Sequence, residues 1–146
     1  NTIPTDAKAA GLYMICTLSK HKAEKDGFTD ALMLDYEGKV AESTGSNIFF
    51  VFNGELHTPI PHCFLDGITR QTAISIAKKQ GIKVVQRDIY PEEIKDAQEI
   101  FLTGSAVEIN PVRKIDDLEF KVGKVTSMIS DLYLSEVDKN YKIDKS

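Results

Sequence analysis

The dipeptide Asn53-Gly54 constrains the fold of this 146-residue chain more than any other short stretch. It separates an aromatic and β-branched run, Asn47–Phe52, from a second extended segment, Glu55–Thr58. Asn and Gly both tolerate positive φ, which the tight two-residue turn of a β-hairpin requires. The sequence therefore predicts an antiparallel hairpin, and the apolar character of Asn47–Phe52 predicts that its first strand is buried.

Apolar periodicity predicts further helices and strands around this hairpin, without strict alternation of the two. The predicted helices cover residues 6–25, a segment from Ile68 to a stop at Gly81, a short helix at residues 91–94, and a last helix marked by Val125, Met128, Ile129 and Leu132. The predicted extended segments cover residues 30–34, 39–42, 84–89, 99–103 and 107–115. We therefore expect a mixed sheet with helices packed on it, and a polar tail at residues 138–146.

Composition narrows the classes of function. The length and the 42% apolar composition predict one domain with one core. The net charge of −4 comes from interspersed acidic and basic residues, which argues against a nucleic-acid partner. No apolar run approaches the roughly 18 residues that span a bilayer, and no secretory signal pattern is present. We expect a soluble, cytoplasmic protein without a membrane partner.

The cysteines and histidines form no metal-binding or disulfide pattern. Cys16 and Cys63 are isolated in the sequence, and the histidines are His21, His57 and His62. We therefore expect no metal site. We interpret the cysteines as reduced thiols, and His57 and His62 as loop residues.

The segment Asp66-Gly67-Ile68-Thr69 places a glycine and a hydroxyl residue where a helix is predicted to begin. The first N–H groups of a helix have no intrahelical partner, and the helix dipole adds partial positive charge there. Because glycine lets a ligand approach the backbone, the segment is a candidate phosphate site. The alternative is an ordinary capped helix, with Asp66 as N-cap and Gly67 as a turn residue, and taken alone it is the commoner arrangement.

Three further segments carry polar groups where a ligand could be held. Glu42 ends a predicted strand and precedes a small polar turn at residues 43–46. The segment Thr103-Gly104-Ser105-Ala106 follows an apolar strand, and Lys8 has small neighbours. Each has a simpler explanation, namely a solvated edge carboxylate, an ordinary turn and an alanine-rich helix start. Their joint occurrence is what indicates a site.

Four motifs occur in the order and at the approximate spacing of one protein family. They are Lys8-Ala9-Ala10-Gly11-Leu12-Tyr13, Glu42-Ser43-Thr44-Gly45-Ser46-Asn47-Ile48-Phe49, Leu65-Asp66-Gly67-Ile68-Thr69-Arg70 and Thr103-Gly104-Ser105-Ala106-Val107-Glu108-Ile109-Asn110-Pro111-Val112. In these motifs the chain resembles the class IV (fold type IV) pyridoxal-phosphate aminotransferases, most closely the branched-chain amino-acid aminotransferases. The resemblance covers about residues 1–137. It implies an α/β fold with a mixed, partly barrel-like sheet and packed helices.

The resemblance also implies a pyridoxal 5'-phosphate cofactor and a role for each matching residue. Lys8 would bind the cofactor's aldehyde covalently and serve as the catalytic base and acid. Tyr13 would hydrogen-bond the phenolic oxygen, and Glu42 would pair with the protonated pyridine nitrogen. The other cofactor-binding positions would be Gly45, Ser46, Asn47, Leu65, Gly67, Ile68, Thr69, Thr103, Gly104 and Ser105, with Ser105 and Ala106 also binding the substrate carboxylate.

The reaction that the resemblance implies is amino-group exchange between an L-branched-chain amino acid and 2-oxoglutarate. Residues 1–137 would be the large, cofactor-binding domain of a homodimeric enzyme. The family's N-terminal small domain has no counterpart in the chain, whose linker-like start at Asn1 we interpret as a cloned fragment or the result of a missing upstream domain. We expect the isolated chain to be weakly active or inactive. The alternatives are a D-amino-acid aminotransferase, an aminodeoxychorismate lyase, or an inert folded fragment.

Overall fold

The hairpin predicted at Asn53-Gly54 is present in the computed structural model of the protein. Asn53 has a φ of 50° and Gly54 a φ of 77°, the left-handed values of a type I′ turn. The turn sets the register of the two strands, with Phe52 opposite Glu55. The prediction of an antiparallel hairpin is confirmed.

The structure describes residues 32–35, 37–43, 46–61, 67–104, 108–115 and 118–145, and only the backbone of Glu42, Ser43, Glu108 and residues 137–145. The strands are β1 (Leu32–Leu34), β2 (Val40–Ser43), β3 (Asn47–Phe52), β4 (Glu55–Thr58), β5 (Val84–Gln86), β6 (Glu99–Gly104), β7 (Glu108–Pro111), β8 (Lys114–Ile115) and β9 (Leu118–Glu119). The helices are α1 (Ile68–Lys79), α2 (Lys124–Lys145) and a 3-10 helix at Pro91–Asp96. The helix predicted at residues 6–25 lies outside the described residues.

Strand β3 lies at the centre of a five-stranded sheet with the order β5-β4-β3-β6-β7. Strands β4 and β5 pair in parallel, whereas the other neighbours in this sheet pair antiparallel. Strands β1 and β2, and strands β8 and β9, form separate two-stranded sheets. The predicted mixed sheet with packed helices is therefore confirmed. The strands within the described residues form no closed barrel.

Both faces of the sheet are buried, which explains why β3 shows no alternation of polar and apolar residues. Phe49 and Val51 point to the face covered by α1 and α2, whereas Ile48 and Phe50 point to the opposite face. Phe49 stacks on Phe101 of β6 with the ring centroids 4.9 Å apart. An apolar cluster on each face therefore fixes the pairing of β3 with β6.

Helix α1 ends where the sequence predicted. Gly81 has a φ of 78°, and its N–H donates to the carbonyl of Lys78 at 3.1 Å. The N–H of Ile82 donates to the carbonyl of Ala77 at 3.0 Å, which completes a Schellman motif. Gly81 is therefore the C′ glycine that the sequence indicated.

Two predicted boundaries differ from the structure. The strand predicted at residues 84–89 ends at Gln86, because the carbonyl of Ile89 accepts a hydrogen bond from the N–H of Val40 and so pairs with β2 instead. The polar tail predicted at residues 138–146 is helical as far as Lys145. No glycine or proline interrupts this stretch, and its charged residues are compatible with a helix. No helix within the described parts of the chain combines the length and the apolar character needed to cross a membrane.

Candidate functional site

Asn47 and Thr103 face each other at one end of the β3–β6 ladder. They lie on the face of the sheet that carries α1 and α2, because they alternate in phase with Phe49 and Phe101. Asn47 is 6% exposed and Thr103 is fully buried. Residues directly opposite in an antiparallel pair have Cβ atoms about 5 Å apart. The ladder therefore ends in a buried polar pair beneath the helices.

Gly67 lies against this polar pair and occupies the N-cap position of α1. A Cβ atom on Gly67 would lie 3.0 Å from Oδ1 of Asn47, so a side chain at residue 67 would require Asn47 to move by a few tenths of an ångström. The N-cap is thus Gly67, and the interpretation with Asp66 as N-cap is wrong by one position. The missing side chain lets the helix start approach β3 closely.

The start of α1 has the electrostatics of an anion-binding site. Its first turn contains no acidic residue, and its N-cap residue supplies no side-chain acceptor. Within the described residues, no group accepts a hydrogen bond from the N–H of Ile68 or of Thr69. These donors and the positive end of the helix dipole converge at one point. A negatively charged ligand would satisfy both.

The hydroxyl of Thr103 is a further unused donor at this end of the ladder. Its Oγ1 is buried and has no hydrogen-bond partner among the described residues. Leaving a buried hydroxyl unsatisfied costs about 1–3 kcal/mol, so such groups usually have a partner. Thr69 adds a second, buried hydroxyl residue beside Gly67. Backbone N–H groups, hydroxyls and a helix dipole together fit a phosphate group.

The structure brings seven of the predicted site residues to this end of the ladder. They are Ser46, Asn47, Gly67, Ile68, Thr69, Thr103 and Gly104. Glu42 is placed by its backbone alone, in β2 opposite Met33. The remaining predicted positions, Lys8, Tyr13, Gly45, Leu65, Ser105 and Ala106, lie outside the described residues. The functional roles of all these residues stay predictions.

Arg70 was not among the predicted site residues, yet it is 1% exposed and follows Thr69 in the first turn of α1. Its guanidinium donates to the carbonyl of Pro59 and to Oε1 of Gln86. The sequence contains a pattern that indicates this burial, because Arg70, Ala73 and Ala77 recur at the spacing of one helix face. That spacing places the arginine on the buried side of α1.

His57 is not a loop residue, contrary to the sequence interpretation. It lies in β4 opposite the buried Phe50 of β3 and is 9% exposed. Its Nδ1 accepts a hydrogen bond from Nε of Arg87 at 2.9 Å, and its Nε2 lies 3.1 Å from Oε1 of Glu55. Arg87 also pairs with Glu93 at 2.7 Å, and its hydrogen bond lowers the pKa of the Glu93 carboxyl.

Comparison with known proteins identifies the family. The family profile described as amino-transferase class IV matches residues 2–115. A "probable branched-chain-amino-acid aminotransferase" of Rickettsia bellii is 43% identical over 139 residues, which are 95% of this chain and 48% of the relative. The branched-chain-amino-acid aminotransferase of Pseudomonas aeruginosa is 37% identical over 140 residues, covering 94% of this chain and 46% of the relative.

Solved structures agree with these relatives. The branched-chain amino acid aminotransferase of Escherichia coli superposes with a TM-score of 0.83 at 38% identity, over 92% of this chain and 47% of that protein. The PLP-form of the Thermobaculum terrenum enzyme gives a TM-score of 0.84 at 39% identity, over 93% of this chain and 46% of that protein. The chain thus spans about half the length of the relatives it matches. It belongs to the class IV aminotransferases.

Proposed function

We propose that this chain is the pyridoxal-phosphate-binding domain, residues 1–137, of a branched-chain-amino-acid aminotransferase. The proposed reaction moves the amino group of leucine, isoleucine or valine to 2-oxoglutarate. The observation that carries the proposal is the start of α1, where Gly67 packs on Asn47 and the N–H groups of Ile68 and Thr69 have no acceptor within the described residues. Relatives that are named for this reaction, and a neighbour in PLP-form, support it.

The described residues would bind the phosphate and orient the cofactor. The N–H groups of Ile68 and Thr69 and the hydroxyl of Thr103 would donate to phosphate oxygens. Asn47 would lie beneath the helix start, and Ser46 would complete the site from the position next to it. Pyridoxal phosphate, when bound, supplies an aldehyde that takes up amino groups and a ring that accepts an electron pair.

The proposed roles of Lys8, Tyr13 and Glu42 follow from the family. The Lys8 amine would attach to the aldehyde and later carry a proton as base and then as acid. Glu42 would hold a proton on the ring nitrogen, and Tyr13 would hydrogen-bond the phenolic oxygen. Gly45, Leu65, Gly104, Ser105 and Ala106 complete the proposed cofactor and substrate positions.

Borohydride reduction of the chain with added pyridoxal phosphate tests this proposal. We expect the native chain to turn yellow and to carry a covalent pyridoxyl group on Lys8 after reduction, as read by peptide mass spectrometry. Lys8→Ala should lose the label, while Lys78→Ala, which changes an exposed lysine at the far end of α1, should keep it. Label spread over surface lysines, or a colourless native chain, would favour the inert fragment.

The choice of substrate needs a protein that spans the full length of the relatives. We expect turnover of L-leucine with 2-oxoglutarate, and no turnover of D-alanine or aminodeoxychorismate. The reverse pattern would favour a D-amino-acid aminotransferase or an aminodeoxychorismate lyase. We further propose a homodimer located in the cytoplasm, with the family's small domain as a required partner. Sedimentation of the full-length protein would test the dimer.

A further inference from the structure

Arg70 is a buried cation within the first turn of α1. Its side chain is 1% exposed and is among the largest fully buried side chains of the described residues. Burial of a guanidinium is unfavourable unless hydrogen bonds compensate the lost water. The groups that hydrogen-bond the Arg70 guanidinium must therefore offset the unfavourable free energy of burying it.

The guanidinium connects α1 to two adjacent strands of the sheet. Its NH2 group donates to the carbonyl of Pro59, directly after β4, at 3.1 Å, and to Oε1 of Gln86, the last residue of β5, at 3.0 Å. Strands β4 and β5 are paired in parallel at this point, with Thr58 opposite Gln86. One side chain thus joins the first turn of the helix to the ends of two strands.

The other residues of the first turn of α1 are small or exposed. Gly67 lies close to Asn47 but has no side chain, Ile68 is 84% exposed, and Thr69 is buried with a short side chain. The turn closes with the hydrogen bond from the N–H of Gln71 to the carbonyl of Gly67, at 3.1 Å. Through its hydrogen bonds to the ends of β4 and β5, Arg70 therefore constrains the backbone that carries the N–H groups of Ile68 and Thr69.

We propose that Arg70 is a positioning residue, whose buried guanidinium fixes the first turn of α1 in the geometry that binds phosphate. It acts from the side of β4 and β5, through the backbone of α1, and does not touch the ligand. The identity of the ligand rests on the proposed function. The positioning itself concerns only this chain and can be measured without a ligand.

Two variants separate the positioning from the charge of Arg70. Arg70→Lys keeps the positive charge but shortens the side chain and removes the NH2 nitrogen that donates to both acceptors. Gln86→Ala leaves Arg70 intact and removes one acceptor from an exposed position. Arg113→Lys, at an exposed arginine, is the matched control for an arginine-to-lysine change. Circular dichroism would verify that each variant is folded.

The first measurement is amide hydrogen exchange of the chain without ligand. We expect the Gln71 amide, which closes the first turn, to exchange about tenfold faster in Arg70→Lys and about threefold faster in Gln86→Ala. The Arg113→Lys variant should match the native chain. If Arg70→Lys does not fold, Gln86→Ala alone decides. Unchanged exchange at Gln71 in the folded variants would overturn the proposal.

The second measurement compares binding of pyridoxal phosphate with binding of pyridoxal, which lacks the phosphate. We expect the affinity for pyridoxal phosphate to fall about tenfold in Arg70→Lys, while the affinity for pyridoxal changes less than about twofold. An equal loss for both compounds would contradict a role at the phosphate. If the native chain binds neither compound but Gln71 exchange responds as expected, the proposed function fails and the positioning of the turn stands.

Discussion

Helices α1 and α2 both begin after a glycine, on the same face of the sheet and at opposite ends of the β3–β6 ladder. They differ in which groups accept hydrogen bonds from their first N–H groups. At α2, the carboxylate of Glu99 accepts hydrogen bonds from the N–H of Thr126 at 2.8 Å and of Val125 at 3.4 Å. At α1, the corresponding end of β6 presents the hydroxyl of Thr103, and no carboxylate among the described residues accepts a hydrogen bond from the first N–H groups of the helix. The start of α2 is therefore capped by a carboxylate of the chain itself.

The glycines differ in what their missing side chains make room for. A Cβ on Gly123 would overlap the carboxylate of Glu99, whereas a Cβ on Gly67 would press on the amide oxygen of Asn47. The 3-10 helix gives a third case, because the Glu93 carboxylate accepts the N–H of Tyr90 at 2.9 Å. Within the described residues, two helix starts are capped by carboxylates of the chain and the start of α1 is not, which makes that start suited to an external anion.

The largest effect is expected from removing the carboxylate at α2. Glu99→Ala leaves the buried N–H of Thr126 without its acceptor, so the free energy of unfolding should fall by about 3 kcal/mol. The affinity for pyridoxal phosphate of the folded protein should stay within about twofold, since Glu99 lies at the other end of the ladder. Urea denaturation and a binding titration measure the two quantities.

The control for this variant is Glu92→Ala, which removes an exposed carboxylate. It should change the free energy of unfolding by less than about 0.5 kcal/mol. Equal effects of Glu99→Ala and Glu92→Ala would show that the contact at α2 does not cap the helix.

The next effect is expected from filling the space at Gly67. Gly67→Ala should displace Asn47 and shift the start of α1, weakening pyridoxal phosphate binding about tenfold, or about 1.4 kcal/mol. Because the clash is with Asn47, the effects of Gly67→Ala and Asn47→Ala should not add in the double variant. Strict additivity in this double-mutant cycle would rule out the contact as the cause.

A smaller effect is expected from placing a carboxylate at the open helix start. Ile68→Glu changes an exposed side chain and should weaken binding of pyridoxal phosphate about fivefold, because the new charge repels phosphate. The same variant should raise the stability of the ligand-free chain by about 0.5 kcal/mol through the helix dipole. The isosteric control Ile68→Gln should show neither change, and identical affinities of the two variants would contradict an electrostatic role.

The smallest effect concerns the carboxylate at the 3-10 helix. The hydrogen bond from Arg87 lowers the pKa of Glu93 below its usual value of 4.5, so the charged form stabilises the folded state. This contribution, up to about 1 kcal/mol, is complete above pH 4.5 and is lost as the pH falls through the lower pKa of the folded state. Glu93→Gln should therefore flatten the fall in stability between neutral and acidic pH. An unchanged pH profile in urea denaturation would contradict this assignment.

The sequence predicted the elements whose causes are local. The turn at Asn53-Gly54, the stop at Gly81 and the start of α1 at Ile68 each depend on a few neighbouring residues, and all three are confirmed. The helical conformation of residues 138–145 was missed because a polar stretch without glycine or proline is compatible with either state.

The contacts that form the site were not predictable from the sequence in the same way. The capping of α2 by Glu99 and the burial of Arg70 join residues that are distant in the chain. The opposition of Asn47 and Thr103 depends on the register of β3 and β6, which the packing of their aromatic side chains sets. The resemblance in sequence motifs predicted Gly67, Thr69 and Thr103 as cofactor-binding residues. Their arrangement around one helix start is seen only in the fold.

A crystal structure of the chain with pyridoxal phosphate tests the central claim most directly, since it locates the phosphate. We expect phosphate oxygens at about 3 Å from the N–H groups of Ile68 and Thr69 and from Oγ1 of Thr103. The carboxylate of Glu99 should still accept hydrogen bonds from the N–H groups at the start of α2. A cofactor bound with its phosphate away from the start of α1, while those N–H groups bond to protein or water, would contradict the account.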